Sequence, residues 1–367
     1  MKKILFLSYT NFFGGAEYVL WDYIRRIDIN NIYIYTTNRK EVIEKYKQVF
    51  KEKNIFCSER MDIVSIRKKT IKSILNIFYN LYKINQIVKK YNIEVLYGNN
   101  TLDILLITLY KKYINKNIKT ISHIHDILDQ RLYKNYIKKN DEYIDKYIVP
   151  SRITKKSLEI CNIKENKIEV IYNGIEIKSN FLKKNDENFS EIYCIGQICK
   201  RKRQDMFIDI INNLNRKCNK YKGFLIGKIT EDKYYKDIKN KFNSDIIYLG
   251  ELEREKLVKN IYPNIDILLL TSDRDPLPTV ILEAMSMGII VIARDVDGVK
   301  EIISDGRDGF IFAYDSNIED IVHLVEYIEC LSIEEKQKIG KRAQLKIKEK
   351  FSMMNKVIKV NKIIEEL

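Results

Sequence analysis

The sequence predicts an α/β protein with two doubly wound domains, each a parallel sheet covered by helices, facing each other across a cleft. Three observations indicate this class: a length of 367 residues, short apolar segments alternating with longer amphipathic ones, and a change of texture near residues 173–190. The length exceeds one ordinary core and fits two or three domains. A hydrophobic fraction of 45% with only 4 Pro and 13 Gly indicates a globular chain.

The first half begins with an apolar strand at 4–7, a turn at Gly14-Gly15 and a helix at 17–27. Apolar residues then recur at helical spacing within 66–88, at positions 71, 74, 75, 78, 81, 82 and 88. This stripe predicts a long amphipathic helix. Five further apolar segments predict the other strands of the first sheet: 32–36, 95–97, 120–124, 147–149 and 168–171.

The second half follows a turn at Asn173-Gly174 and a polar run at 183–188, which predicts a domain boundary. The two predicted domains span residues 1–175 and 176–351. A final helical run from residue 333 to the end breaks near Phe351-Ser352. Six apolar segments predict the strands of the second sheet: 192–195, 223–226, 246–249, 265–270, 289–293 and 309–312.

Several classes of protein are disfavoured by the same pattern. No apolar run approaches the roughly 18–20 residues of a membrane-spanning helix. The apolar start ends at Ser8 without a small-residue cleavage site, so it is interpreted as a buried strand rather than a signal peptide. Six cysteines without a Cys-x-x-Cys pair fit a reducing cytoplasm. Only three histidines accompany them, so no metal site is predicted.

The basic charge is concentrated in the first half. Of the net charge of +15, residues 1–175 carry +14, with 32 Lys and Arg against 18 Asp and Glu. Such one-sided charge predicts a polyanionic partner, either nucleic acid or an acidic membrane leaflet. The alternative is a lysine-rich composition with solvated faces.

The chemistry is expected in the strand-to-helix loops, because ligands of open parallel sheets bind beyond the carboxyl ends of the strands. Gly14-Gly15 lies in the first such loop, where its amides either approach a phosphate or only form a tight turn. His123 and His125 end a strand and point to the same side. They are interpreted as hydrogen-bonding groups in the cleft, with a buried structural role as the alternative.

Two segments of the second half carry the strongest signals. Four consecutive cations at 200–203 follow a predicted strand, where they can neutralise a diphosphate. The segment 271–288 predicts a helix that opens at Asp275-Pro276 and places Asp275 and Glu283 about 12 Å apart. That distance is too long for two carboxylates that act on one bond, as in a glycoside hydrolase. It suits two carboxylates that each bind hydroxyl groups at one end of an extended ligand, with helix amides between them available to a phosphate. An ordinary capped helix is the alternative.

These segments, in this order along the chain, resemble the GT-B glycosyltransferases, in particular retaining glycosyltransferase family 4 (glycosyl transferases group 1). The resemblance rests on collinear motifs, each weak alone, and it implies two Rossmann-like domains, with the nucleotide sugar held mainly by the second. It also implies that the final helix, 352–367, packs back on the first domain. The matching motifs are Gly14-Gly15-Ala16-Glu17, the histidine strand end, Val149-Pro150-Ser151, the segments 170–175, 196–202 and 248–250, and 275–288 followed by 298–303.

The resemblance assigns roles to individual residues. Glu283 matches the acid that binds the donor ribose, and Asp275 stands where most members have the Glu that contacts the donor sugar. Lys202 matches the diphosphate-binding lysine, and Gly15 matches the loop glycine near the phosphates. His125 matches the histidine near the reacting centre, with His123 as the alternative. His125 and Asp275 are thus the expected catalytic residues.

Two departures from the family pattern affect donor binding. Gln197 stands where many members have a diphosphate-binding Arg. Lys202, assisted by Arg201 or Arg203, is therefore expected to neutralise more of the negative charge of the leaving diphosphate. Pro278 replaces a frequent Gly and removes one backbone donor, so the amides of Thr279 and Val280 are expected to serve instead.

The implied function is metal-independent transfer of a sugar to a hydroxyl of a glycan or lipid-linked acceptor. No cofactor is expected, and UDP-sugar is favoured over GDP-sugar as co-substrate. Arg67, Lys68, Lys69 and Lys72 beside the apolar stripe suggest a peripheral enzyme on the inner face of the membrane, although the stripe can equally pack on its own sheet. The alternatives are an epimerase or phosphorylase of the same fold, or a basic nucleic-acid-binding protein; nucleic acid is not the expected partner.

Overall fold

The computed structural model describes residues 2–10, 13–60, 70–101, 103–128, 131–176, 190–217 and 220–367. The chain forms two compact units, Met1–Gly174 with Met353–Leu367, and Ile175–Ser352. The predicted bounds of the two domains lie one residue away from these. The predicted polar run at 183–188 and the cations Arg67, Lys68 and Lys69 lie outside the described residues.

The N-terminal unit contains a parallel sheet whose strands are β1 (Ile4–Ser8), β2 (Ile32–Thr37), β3 (Ile55–Ser58), β4 (Val95–Gly98), β5 (Lys119–His123), β6 (Lys146–Val149) and β7 (Ile168–Val170). The strand order is β3-β2-β1-β4-β5-β6-β7. The helices of this unit are α1 (Gly15–Ile24), α2 (Lys40–Lys47), α3 (Ile71–Tyr91), α4 (Asp103–Tyr113), α5 (Arg131–Asn140) and α6 (Arg152–Glu159). The sequence pattern did not predict β3 or α2.

Alternation along β1 shows why this sheet needs helices on both faces. Ile4 and Phe6 enter one apolar cluster, whereas Leu5 and Leu7 enter another, and all four are fully buried. A strand buried on both faces is a continuous apolar run, which is the pattern of a central strand in a parallel sheet. The apolar start of the chain is therefore a core strand.

The C-terminal unit contains a second parallel sheet whose strands are β8 (Ser190–Ile195), β9 (Tyr221–Ile226), β10 (Ile246–Tyr248), β11 (Ile267–Leu270), β12 (Ile290–Arg294) and β13 (Phe310–Phe312). The strand order is β10-β9-β8-β11-β12-β13. Its helices are α7 (Gln204–Lys217), α8 (Asp232–Lys239), α9 (Arg254–Lys256), α10 (Thr279–Ser286), α11 (Val299–Ile302), α12 (Ile318–Cys330) and α13 (Ile333–Lys350).

The last helix, α14 (Met353–Glu366), belongs to the N-terminal unit. Its apolar side chains share a core with α1, and the Tyr23 hydroxyl donates to the Asn361 side chain over 2.7 Å. The break predicted at Phe351-Ser352 is confirmed, since α13 ends at Lys350 and the chain turns there.

Both sheets reverse their strand order at one place, between β1 and β4 in the first and between β8 and β11 in the second. In a doubly wound sheet the loops diverge at this point and leave room for a ligand at the carboxyl edge. The prediction of two doubly wound sheets is confirmed, and these two loop clusters position the candidate residues. Among the described residues, no helix is both long and apolar enough to cross a membrane.

Candidate functional site

The loop after β8 is shaped by a close approach of two glycines. A Cβ atom at Gly227 would lie 1.9 Å from the carbonyl oxygen of Gly196, and the φ angle of Gly227 is +146°. Only glycine satisfies both conditions. Gln197 follows Gly196, and its main-chain carbonyl accepts a hydrogen bond from the Gln204 side chain over 2.8 Å. The main chain of the predicted diphosphate loop is thereby fixed.

Lys202 and Asp275 form an ion pair in this loop cluster. The Nζ atom of Lys202 lies 2.5 Å from Oδ2 of Asp275, and both side chains are largely buried. Lys202 ends a short 3₁₀ turn after β8, and Asp275 lies in the loop after β11, so neighbouring strands bring them together. The Asp275 amide donates to the Asp297 carboxylate over 2.8 Å. Two residues predicted separately therefore meet in one place.

The other cations of the run 200–203 have different partners. Arg203 contacts the carboxylates of Asp205 and Asp273, at 3.1 and 3.3 Å. Arg201 donates to the carbonyl of Arg274 over 2.8 Å. Of the four cations, Lys202 is therefore the one that lies against Asp275 in the loop cluster.

The predicted start of the helix at Asp275 is wrong. Helix α10 begins at Thr279, with Pro278 as its N-cap, so Asp275 lies in the preceding loop. A proline disfavours helical conformation at the residue before it, so Pro276 and Pro278 oppose a helix at Asp275 and Leu277, and the helix begins only after Pro278. The amides of Thr279 and Val280 are the first of the helix, whose N–H groups have no carbonyl one turn earlier. These N–H groups form the positive end of the helix dipole.

Glu283 lies on the same helix and is held by two residues that the sequence did not indicate. Its Oε1 accepts hydrogen bonds from Arg254, at 2.8 Å from Nε and 2.7 Å from Nη2, and its Oε2 accepts one from the Tyr262 hydroxyl over 2.7 Å. Burial raises the pKa of Tyr262 well above its usual range, and the neighbouring Glu283 carboxylate acts in the same direction. The carboxylate of Glu283 is therefore held in one orientation.

In the N-terminal unit, Gly15 is the first residue of α1, in the loop after β1. The amide of Gly14 donates to the Glu17 carboxylate over 3.0 Å, and Asn100 donates to the other oxygen of Glu17, also over 3.0 Å. Burial raises the pKa of Glu17, and these hydrogen bonds oppose that effect. A Cβ at Gly15 would meet no atom within 4 Å, so the space beside it is open.

His125 is linked to this loop through a buried asparagine. Its Nε2 lies 3.3 Å from Oδ1 of Asn99, whose Nδ2 donates to the carbonyl of Ala16 over 3.3 Å. The rings of His123 and His125 lie 3.9 Å apart, which confirms that both point to the same side. His123 is fully buried, and its Nδ1 contacts the Tyr97 hydroxyl over 2.9 Å. His125 is thus the more accessible of the two.

Both histidines are neutral at ordinary pH. Burial lowers the pKa of His125 to about 3 and lowers the pKa of His123 well below its usual range, with Lys356 of α14 adding to both shifts. Lys356 itself is only 3% exposed, and its Nζ lies 3.4 Å from the carbonyl of Val19. Burial lowers the pKa of Lys356 to about 7, although Asp22 opposes the shift.

Replacing Lys356 with methionine is expected to stabilise the protein at neutral and lower pH, by about 1–4 kcal/mol, because the variant buries no ammonium group. Above pH 7 the folded wild type loses this proton while the unfolded chain keeps it up to a pKa near 10.4, so wild-type stability rises with pH. The advantage of the variant should therefore shrink by about 1.4 kcal/mol per pH unit. Urea unfolding at several pH values measures it, and a gain that is independent of pH would contradict the interpretation.

The two halves of the chain match two family models. Residues 13–179 match the model described as Glycosyltransferase Family 4, and residues 176–346 match the model described as Glycosyl transferases group 1. A structure of Anabaena HepE in complex with UDP-glucose aligns with a TM-score of 0.83 and 18% identity over 100% of both chains. Such a likeness shows the fold, which is GT-B.

Two curated relatives are similar to about half of this chain. An uncharacterised 41.2 kDa protein in the cps region of Klebsiella pneumoniae is 28% identical over 55% of this chain and 57% of its own length. Lipopolysaccharide 1,6-galactosyltransferase of Escherichia coli K12 is 25% identical over 47% of this chain and 50% of its own length. The chain has the GT-B fold, and both of its halves are similar to glycosyltransferases. It resembles glycosyltransferase family 4 along residues 13–346.

Proposed function

We propose that this protein is a retaining, metal-independent hexosyltransferase that moves a sugar from a nucleoside-diphosphate sugar, preferably a UDP-sugar, to a hydroxyl acceptor. The acceptor is a glycan or lipid-linked glycan in cell-surface polysaccharide or glycolipid assembly. The observation that carries the proposal is the Lys202 ammonium paired with Asp275 at the carboxyl edge of the second sheet. UDP-glucose in the Anabaena structure and the lipopolysaccharide activity of the Escherichia coli relative support the donor and acceptor classes.

The donor is assigned to the C-terminal unit. Lys202 has three N–H donors, and a diphosphate that binds it competes with Asp275 for the ammonium. Asp275 released in this way accepts a hydrogen bond from a sugar hydroxyl. The amides of Thr279 and Val280 donate to phosphate oxygens, and the fixed carboxylate of Glu283 accepts from the ribose hydroxyls.

The departing nucleoside diphosphate gains negative charge as the glycosidic bond to phosphate breaks. Lys202 and the N-terminus of α10 stabilise that charge from fixed positions, which costs no reorganisation in the transition state. Gln197 donates a neutral hydrogen bond where an arginine would add a second charge. Lys202 is therefore the principal cation for the leaving group.

The N-terminal unit supplies groups of the opposite kind. Sugar transfer develops positive charge on the sugar ring, and a protonated imidazole would repel it. The low pKa keeps His125 neutral, so it serves as a hydrogen-bonding group for the donor sugar or the acceptor hydroxyl without this penalty. Gly15 leaves open space beside its amide for a phosphate oxygen.

A thermal-shift panel tests the donor assignment. The panel contains UDP, GDP and ADP, the corresponding sugars, and pyrophosphate alone. A ligand at 100 times its dissociation constant adds about 2.7 kcal/mol of stability. The proposal expects the largest shift from UDP or a UDP-sugar, and no shift from any nucleotide would overturn it.

Helix α3 is the surface assigned to the membrane. Five apolar residues on one side of it are solvent-exposed, and we name them the α3 stripe: Ile71, Ile74, Leu75, Phe78 and Tyr82. Leu81 and Val88 of the predicted stripe pack against the sheet, so the alternative of a helix packed on its own sheet holds only for them. The α3 stripe, with Lys72 exposed beside it and the excess positive charge of residues 1–175, complements an anionic leaflet.

Phe78→Glu is expected to lower binding to phosphatidylglycerol vesicles at least about tenfold, because it removes 66%-exposed apolar surface and adds a negative charge. Co-sedimentation measures the binding. Ile160→Glu, at a residue that is 64% exposed at the end of α6, adds the same charge elsewhere on the unit and should have little effect. Wild-type binding that depends on neither anionic lipid nor salt would contradict the membrane assignment.

A further inference from the structure

A cavity of about 350 Å³ lies between the edge strand β3 and helix α3, away from the loops that carry the candidate site. Its volume suits a small ligand or a head group. Strand β3 contributes one wall, and α3 contributes the other. The lining residues are Tyr35, Ile55, Phe56, Cys57, Tyr79, Lys83, Gln86, Ile87, Lys90 and Tyr91.

The charged side chains described around this cavity are all positive. Lys83 and Lys90 line it, and none of the described lining residues is acidic. A third cation lies at the same wall, where the guanidinium of Arg60 stands 4.8 Å from the ring centre of Tyr79. Lysine and arginine beside aromatic rings favour an anion attached to an apolar body. The cations at the described walls of the cavity therefore favour a negatively charged ligand.

A buried asparagine holds the walls in place. Asn80 is fully buried, and its Oδ1 accepts a hydrogen bond from the Tyr35 hydroxyl over 2.6 Å. Its Nδ2 donates to the carbonyls of Arg60 and Asn76, over 2.8 and 2.7 Å. These contacts connect β2, the segment after β3, and α3. The walls of the cavity are therefore held together before any ligand enters.

The cavity opens beside the α3 stripe. Lys83 follows Tyr82 directly, and Gln86 of the cavity donates to the Tyr82 hydroxyl over 2.7 Å. An amphiphile can therefore place its anionic end against Lys83 and Lys90 while its apolar chains follow the exposed stripe. Neither a free sugar nor a free anion would use both surfaces.

We propose that this cavity binds the phosphate-ester head group of an anionic membrane lipid. The inference rests on the proposed docking of α3 on a membrane and is independent of sugar transfer. Binding of one lipid head group between β3 and α3 would make membrane docking depend on the structure of the head group as well as on its charge.

Cys57 provides a reporter, because it lines the cavity and is exposed. The experiment uses the full chain with the substitutions Cys218→Ser and Cys330→Ser, and it measures the rate at which a maleimide modifies Cys57. Cys161, Cys194 and Cys199 can stay, because they are buried. We expect phosphatidylglycerol vesicles to slow the reaction at least about tenfold. Phosphatidylcholine vesicles should leave the rate unchanged, and glycerol 1-phosphate should protect only at much higher concentration.

Matched variants separate head-group binding from simple docking. Lys83→Gln and Lys90→Gln should each lose most of the protection, about tenfold for a lost charge-assisted contact, while still co-sedimenting with vesicles. Lys89→Gln removes the same charge at an exposed neighbour that does not line the cavity, and should keep full protection.

Two results would overturn the proposal. Equal protection in Lys83→Gln and wild type would show that docking alone shields Cys57. Equal potency of glycerol 1-phosphate and vesicles would assign the site to a free phosphate ester. If the wild-type protein does not bind vesicles at all, the membrane docking of α3 is contradicted as well. A UDP-induced thermal shift in the same protein would show that donor binding depends neither on docking nor on the cavity.

Discussion

Lys202→Ala is expected to lower the rate of sugar transfer by about 10²–10³-fold while the protein stays folded. The ammonium is the only charge of the run 200–203 that is paired with Asp275, and the proposed mechanism gives it the developing charge of the leaving diphosphate. Its loss removes an interaction that strengthens in the transition state, so kcat should fall more than the affinity for donor. Steady-state kinetics with the preferred donor measures both.

Lys200→Ala is the matched control, because Lys200 is an exposed cation in the same 3₁₀ turn. It should retain near wild-type kinetics. A thermal melt of Lys202→Ala shows whether the unpaired Asp275 weakens the fold, and Lys202→Met keeps the apolar part of the side chain if it does. Wild-type rates in a folded Lys202→Ala protein would contradict the role assigned to this residue.

Glu283→Ala should weaken donor binding by about 10–100-fold, the range expected for lost hydrogen bonds to a charged group. The structure adds a second consequence, since Arg254 and Tyr262 both lose the hydrogen bonds to Glu283 and the fold should lose stability. Glu283→Gln keeps the shape and part of the hydrogen bonding, so it should be more stable than Glu283→Ala. Calorimetric titration with UDP measures the affinity.

Pyrophosphate distinguishes the two roles. Because Glu283 is assigned to the ribose, Glu283→Gln should weaken binding of UDP but leave pyrophosphate unaffected. Lys202→Ala should weaken both ligands by similar factors. A Glu283→Gln protein that loses pyrophosphate as strongly as UDP would show that the carboxylate supports the loop as a whole rather than the ribose.

Sequence periodicity predicted the two sheets because buried parallel strands are almost wholly apolar. It missed β3, because Ile55–Ser58 is an edge strand of only four residues, too short to show a periodic pattern. It also placed the start of α10 at Asp275, since an Asp-Pro pair is a common helix start. Pro278, two residues further along, delays the first helical turn to Thr279.

The candidate residues were readable from the sequence, but their partners were not. Glu283 and Arg254 are separated by 29 residues, and His125 and Asn99 by 26. Only the strand order brings such residues together, and no local spacing encodes it. The α3 stripe shows the same limit, since helical periodicity identified its apolar positions without revealing which side of α3 faces solvent.

The most direct test of the central claim is to analyse the sugar product formed from the donor that the thermal-shift panel selects. With a hydroxyl acceptor, we predict one new glycosidic bond for each nucleoside diphosphate released, with the anomeric configuration of the donor kept in the product. Release of sugar 1-phosphate, or a nucleotide sugar changed only in stereochemistry, would contradict the account and assign the fold to a phosphorylase or an epimerase.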